Sequence, residues 1–470
     1  VAVIRIAKLT LSIVGRFFEA IPNVKGFLKL QLLPWFFYPC YHKVQQSTMS
    51  STSYEASLDY ARTMDASDPL GGFRDLFYFP KHNGRDAIYF CGNSLGLQPK
   101  AVADAIDTEL KTWQDLVVGG YFGGTNPWLY YQDYCKPTLA KLIGASIQEV
   151  TVMNALTVNL HLMMLSFYKP MASRFKIMME AGAFPSDQYA VETQVKHYGF
   201  DPADAIVEIA PRQGEKLLRT EDILKAIEDH GDSLALTIFS GMNYYTGQVY
   251  DMPAIAKASH AVGAVAGFDL AHVAGNVPVH LHDWNADFAV WCSYKYLNGG
   301  PGAVGGVFVH ERHAANAQLG RLGGWWGNDE KSRFKMEKGF EPKPDASGWC
   351  LSTSQVFNTV CLKASLEIFE KAGIERLHEK SVLLTGYLEY LLNQMPNLSF
   401  EIITPANPAE RGAQLSLYFK QQGREIHDKM IESGIIVDYR EPGVIRVAPA
   451  PLYCSFEDVF RFYEILKNNF

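Results

Sequence analysis

The sequence predicts an α/β fold: a large domain with a mostly parallel sheet flanked by helices, and a smaller C-terminal α+β domain. Three observations support this. From about residue 67, short β-rich runs alternate with amphipathic helical patterns, the order expected of parallel βαβ units. A loop-rich stretch at 325–345 separates this region from a second one with a different order of elements. At 470 residues the chain is long enough for both, with a substantial core.

Taken in order, the strands expected in the first region lie at 87–91, 175–179, 234–239, 264–269, 288–293 and 303–310. Helical patterns at 100–116, 156–167, 187–197, 220–230 and 255–262 separate them. In the second region, helices at 358–372 and 374–393 lead to strands at 400–404 and 414–419. A helix at 424–433, strands at 435–439 and 444–447 and a helix at 456–467 complete it. The expected division is residues 1–48 as an atypical extension outside the fold, 49–345 as the large domain with its N-terminal arm, and 346–470 as the small domain. No internal repeat or low-complexity segment interrupts the chain.

Hydrophobic residues make up 48% and charged residues 20%, as in ordinary soluble enzymes. The net charge of −7 and the lack of a basic stripe argue against a nucleic-acid partner. Seven cysteines are scattered without a CxxC pair, so neither a metal site nor a disulfide framework is expected. Reduced thiols and a cytoplasmic location follow as the default. Residues 1–48 carry six Lys or Arg and a single acid, Glu19. No apolar run there approaches the ~18 residues of a membrane-spanning helix. An extension without a folded role is expected, with a mitochondrial targeting segment as the alternative.

Chemistry concentrates at the ends of the apolar runs, where α/β sheets bind ligands. Lys295 follows Phe288-Ala289-Val290-Trp291-Cys292-Ser293-Tyr294 and passes into a glycine-rich turn. A lone lysine is usually a solvated surface charge. A buried one loses preference for the ammonium form and can serve as a base or form a Schiff base. Asp269 ends the run Val265-Ala266-Gly267-Phe268. Read alone it caps the next helix, but buried it needs a cationic partner such as a protonated pyridine nitrogen.

Leu156 and Thr157 open an apolar helix whose amide groups suit a phosphate, although Thr157 alone reads as a cap. Phe184-Pro185-Ser186-Asp187 follows another strand. It offers a ring to stack on a planar group and an acid behind it, or more simply a turn with a capping Asp. Ser240, at the end of Leu236-Thr237-Ile238-Phe239, adds a small donor. Together these point to a phosphorylated, cationic, Schiff-base cofactor.

The chain resembles the kynureninase family, fold-type I pyridoxal-phosphate enzymes of tryptophan catabolism. The matching stretches include Tyr89-Phe90-Cys91-Gly92-Asn93-Ser94-Leu95-Gly96, Met153-Asn154-Ala155-Leu156-Thr157-Val158-Asn159, and Ala183-Phe184-Pro185-Ser186-Asp187. They continue in Tyr245-Thr246-Gly247-Gln248, Gly267-Phe268-Asp269-Leu270-Ala271-His272, Trp291-Cys292-Ser293-Tyr294-Lys295 and Ile445-Arg446-Val447-Ala448-Pro449. The resemblance spans about 67–465.

It implies pyridoxal 5′-phosphate as cofactor and hydrolytic cleavage of the Cβ–Cγ bond of L-kynurenine to anthranilate and L-alanine. It extends to 3-hydroxykynurenine, giving 3-hydroxyanthranilate, and to pyridine nucleotide biosynthesis. Lys295 would bind the cofactor and then shuttle protons. Asp269 would pair with the pyridine nitrogen, backed by Asp187, with Phe184 stacked on the ring and Pro185 and Ser186 beside it. Leu156, Thr157, Ser240 and Tyr294 would hold the phosphate or ring substituents, with His272 nearby. Trp325 and Thr353 would complete the site from a neighbouring subunit, so a homodimer is expected.

Ser94 and Arg446 would contact the substrate; a guanidinium suits its α-carboxylate. Tyr245 is the implied phosphate ligand and proton donor. Two positions depart from the animal enzymes: Thr353 stands where they have Asn, and Tyr121 where they have His. Both lie near the substrate ring in that family, and the preference leans towards kynurenine. The rivals are a cysteine desulfurase, for which Cys350 is the one candidate nucleophile, and a membrane-associated binding protein anchored by residues 1–48.

Overall fold

The computed structural model describes residues 53–469 apart from 317, 396 and 397, so the expected extension at 1–48 lies outside the described residues. A small hairpin, β1 (Lys81–His82) and β2 (Arg85–Asp86), and the short strand β3 (Ile88–Tyr89) come first. Seven strands then build the central sheet. They are β4 (Val150–Val152), β5 (Lys176–Glu180), β6 (Ile206–Ile209), β7 (Leu234–Ser240), β8 (Val265–Asp269), β9 (Phe288–Trp291) and β10 (Gly306–Val309).

Their spatial order is β4-β10-β9-β8-β7-β5-β6. The five strands from β9 to β6 are mutually parallel, while β10 runs antiparallel to both β9 and β4. The mostly parallel sheet expected from the sequence is present. Its strands read as continuous apolar runs because helices cover both faces of such a sheet; all but the last residue of β7 are buried.

A second, antiparallel sheet joins β11 (Glu401–Ile402), β12 (Leu415–Tyr418), β14 (Asp438–Arg440) and β15 (Val444–Val447) in the order β11-β12-β15-β14. Between them β13 (Ile435–Ile436) pairs in parallel with β3. This corrects the sequence expectation for 87–91. That run holds a two-residue strand outside the central sheet, because its partner is Ile435 rather than a neighbouring βαβ unit. Within the central sheet two strands, β4 and β6, were not expected, since runs of three and four residues give too little alternation to read.

The expected helices are present with shifted ends: Val102–Leu116, Leu156–Phe167, Pro185–His197, Thr220–Asp229, Met252–Ala261, Val356–Ala372, Ile374–Leu392, Gly423–Glu432 and Phe456–Asn469. The core lies between sheet and helices, where Met163, Phe167, Ile177, Leu236, Phe288 and Val290 are buried together. Phe167 stacks on Phe288 with centroids 4.9 Å apart. Gly267 makes room for that ring, since a Cβ there would lie 2.2 Å from Phe288 Cζ. Among the described residues no helix is long and apolar enough to cross a membrane.

Candidate active site

The connection from β5 leads outward to β6, and that from β7 leads the other way to β8, so the order reverses between β5 and β7. Ligands bind at the carboxyl ends of strands beside such a reversal. Glu180 ends β5, Ser240 ends β7 and Asp269 ends β8. Ser240 pairs in register with Asp269. A cavity of about 140 Å³ opens over these strand ends.

Glu180, Asp187 and Asp269 are all buried. Asp187 enters from the first turn of helix Pro185–His197, where Pro185 presets the helical φ and Phe184 is the N-cap. Burial, opposed by hydrogen bonds from Ser240, pushes the Glu180 carboxyl up to about 7. Burial and then the neighbouring Asp269 and Glu180 push Asp187 far above the usual range. Asp269 is raised by burial, but an N–H from Ala271 at 2.6 Å and a hydrogen bond from Asp187 favour its ionised form. Within this pair the proton is favoured on Asp187 and the charge on Asp269.

The basic side faces this cluster. Lys295 Nζ lies 2.9 Å from His272 Nε2 and 5.9 Å from the centre of the Phe184 ring. Burial, then the charges of Lys295, Arg446 and Arg440, keep His272 neutral. His272 Nδ1 has no hydrogen-bond partner among the described residues. The turn carrying Lys295 is closed by Asn298 N–H to the Lys295 carbonyl at 2.9 Å and by Gly96 N–H to the Tyr294 carbonyl at 2.8 Å.

The cavity also meets the start of helix Leu156–Phe167, whose N-cap, Ala155, supplies no side-chain acceptor. Its first amide groups therefore remain available, as an anion site requires. Thr157 Oγ1 lies 2.7 Å from Ser186 Oγ. The Ser240 hydroxyl turns to Glu180.

Of the expected site residues, Leu156, Thr157, Phe184, Ser186, Asp187, Ser240, Asp269, His272, Tyr294 and Lys295 line this one cavity. Met242, Tyr244 and Ala271 line it too and were missed. Tyr245 does not line it; the neighbouring Tyr244 does, with its ring edge-on to Phe184 at 5.3 Å.

Arg446, in β15, is fully buried, and its Nη1 donates to the Tyr244 carbonyl at 2.9 Å. Nη2 reaches Ser94 Oγ at 2.9 Å, and Ser94 and Arg446 both bond to Asp438, which sequence reasoning also missed. Trp325 lies elsewhere, half-exposed in a surface depression, where its Nε1 donates to the Arg333 carbonyl. Thr353 is half-buried in the loop before helix Val356–Ala372, and Tyr121 packs edge-on against Trp128. Cys350 is buried in the core beside Thr151, and burial raises its thiol pKa, unlike an exposed loop nucleophile.

The sheet, its order and the lysine at its edge define a fold-type I pyridoxal-phosphate enzyme architecture. Solved structures share it: a cysteine desulfurase from Thermococcus onnurineus superposes with a TM-score of 0.68 over 87% of this chain and 97% of its own, at 18% identity. A cysteine desulfurase from Escherichia coli does so with a TM-score of 0.68 over 85% and 98%, also at 18% identity.

Sequence relatives are far nearer. The kynureninase of Myxococcus xanthus is 52% identical over 88% of this chain and 98% of its own length. That of Koribacter versatilis is 50% identical over the same shares, and that of the animal Nematostella vectensis 47% identical over 90% and 97%. The family described as kynureninase C-terminal domain matches residues 377–466. The chain belongs to the kynureninase family of enzymes.

Proposed function

We propose that this protein hydrolyses the Cβ–Cγ bond of L-kynurenine, giving anthranilate and L-alanine, with pyridoxal 5′-phosphate held in the cavity. The observation that carries the proposal is the Lys295 amine, 2.9 Å from a neutral buried His272 and facing the Asp269–Asp187 pair. The residues fit that cofactor. An ionised buried acid suits a protonated pyridine nitrogen, and the free amides at Leu156 and Thr157 suit a phosphate. The Phe184 ring suits a planar face, and the unpartnered His272 Nδ1 has room for a polar substituent. Bound there, the cofactor supplies an electron sink for charge developing on the substrate carbons.

The chain's own residues do the rest. Asp269, kept ionised by Asp187, holds a positive charge opposite itself. Lys295 takes the proton from the substrate Cα, and His272 keeps the amine aimed. Arg446 and Ser94 orient the substrate through its α-carboxylate. Tyr244 and Tyr294, phenols that line the cavity, join Tyr245 as donors of the proton for the γ-carbonyl. Neither Trp325 nor Thr353 lines Lys295's cavity, which supports a homodimer in which each chain lends both residues to its partner's site.

The division into segments 49–345 and 346–470, a cytoplasmic location, a place in tryptophan catabolism and activity on 3-hydroxykynurenine belong to the same proposal. Purified protein given kynurenine and 3-hydroxykynurenine side by side, followed by product fluorescence, tests it. Lys295→Ala is expected to lose nearly all turnover and borohydride trapping; near-normal turnover in that variant rejects the assignment.

A further inference from the structure

At the amino ends of the parallel strands, across the sheet from Lys295, three ligand-type side chains from distant parts of the chain meet. Glu149 directly precedes β4, His282 lies in the β8–β9 connection, and His310 directly follows the antiparallel β10. One nitrogen or oxygen of each lies within 4.8 Å of the others. His282 Nδ1 is 2.9 Å and His310 Nδ1 3.5 Å from Glu149 Oε1. The two imidazoles stack with centroids 5.0 Å apart and planes 20° apart. Glu149 and His310 are buried, whereas the His282 side chain is 39% exposed.

We propose that Glu149, His282 and His310 form a binding site for a divalent transition-metal cation of the zinc class, with its fourth position open to solvent. Tetrahedral zinc with bonds of ~2.0–2.2 Å places neighbouring ligand atoms about 3.4 Å apart; both contacts to Glu149 lie near that spacing, and turning the two stacked imidazoles about χ2 brings their nitrogens to it. Two imidazoles and one carboxylate suit zinc, cobalt or nickel, whereas calcium and magnesium take oxygen ligands.

The amides of Glu311 and Ser146, at 2.8 and 2.9 Å, fix the carboxylate, the kind of outer support that orients metal ligands.

A cation displaces two weaker interactions: the proton His282 shares with Glu149, and the 3.3 Å bond from Arg312 N–H to His310 Nδ1. The Arg312 guanidinium is itself bound by Asp287, which lessens its repulsion. The bound ion would tie together three segments at the end of the sheet opposite Lys295. Its effect is on stability, not on turnover.

Chelator-treated holoenzyme dialysed against zinc chloride, with bound zinc measured by elemental analysis and unfolding followed by heat, tests this. One saturable equivalent per chain is expected, with a zinc-dependent rise in melting temperature. His282→Gln and His310→Gln are each expected to weaken binding at least tenfold and abolish that rise, with kcat unchanged. Should His310→Gln not fold, the half-exposed His282→Gln decides. No saturable equivalent, or equal zinc binding by the variants, overturns the proposal and leaves a hydrogen-bonded clamp only.

Discussion

Asp438 grips Arg446 through both carboxylate oxygens, at 2.8 Å from Nε and 2.7 Å from Nη2. Arg440 grips the same carboxylate at 2.9 and 2.8 Å. Two guanidinium groups around one acid leave a surplus positive charge, held rigid where a substrate carboxylate is expected. The hydrogen bonds from Arg446 and Ser94 keep the Asp438 carboxyl below its usual range despite burial.

Asp438→Ala is therefore expected to free Arg446 from its orientation. Breaking a buried pair by removing one partner costs ~3–5 kcal/mol. The KM for kynurenine should rise by about tenfold or more, with a smaller change in kcat. Steady-state kinetics with a parallel denaturation curve checks it; an unchanged KM removes Asp438 from the substrate-binding argument.

Glu180 gives the cofactor-free protein a pH dependence of definite sign. Its carboxyl is raised from 4.5 to about 7, so folding takes up a proton between those values. Its contribution is fully present below 4.5 and is lost as pH rises through about 7. The loss by pH 8 is ~3 kcal/mol. Glu180→Gln is expected to flatten the stability profile over pH 5–8, measured by urea unfolding of the apoprotein. A parallel pair of profiles contradicts the shift.

Gly96 is a packing constraint on the site. A Cβ there would lie 2.4 Å from the Lys295 carbonyl and 2.2 Å from Asn298 Oδ1. Gly96→Ala must push the Lys295 turn outward, and overpacking of this kind costs ~1–3 kcal/mol. The expected result is weaker cofactor retention during dialysis and turnover reduced by about 10²-fold, since small misplacements at a reacting group cost that much. Retention equal to the unsubstituted protein refutes the contact.

Trp325 supplies a test of subunit sharing. Lys295→Ala and Trp325→Ala proteins are each expected to be nearly inactive. Mixed and allowed to exchange subunits, they should recover about a quarter of full activity, because half the dimers then hold one complete site. No recovery after verified exchange places Trp325 in its own chain's chemistry or outside it.

Much of the site was legible because strand ends announce themselves: apolar runs that stop at Asp269, Ser240 and a lysine-bearing turn mark the carboxyl edge of a sheet. Glu180 escaped because the run Lys176-Ile177-Met178-Met179 already looked complete without it. Asp438 escaped for a different reason. Its meaning depends on the β14–β15 register that sets it opposite Arg446, and register is a matter of pairing that one strand alone does not reveal. The pairing of β3 with β13 is hidden likewise, since Ile88 and Ile435 are brought together only by the finished fold. Tyr244 and Tyr245 are adjacent and chemically alike, so the sequence does not distinguish the one whose ring meets Phe184.

The helix Leu58–Ser67 docks against the helix Phe456–Asn469: Asp65 accepts the backbone N–H groups of Phe456 and Glu457 at 2.7 and 2.9 Å, and Asp68 meets the buried Lys380 at 2.7 Å. The first helix of the described residues thus waits for a segment synthesised hundreds of residues after it. At 5–20 residues per second that interval is on the order of tens of seconds. Until then the apolar side of this helix lacks its native cover.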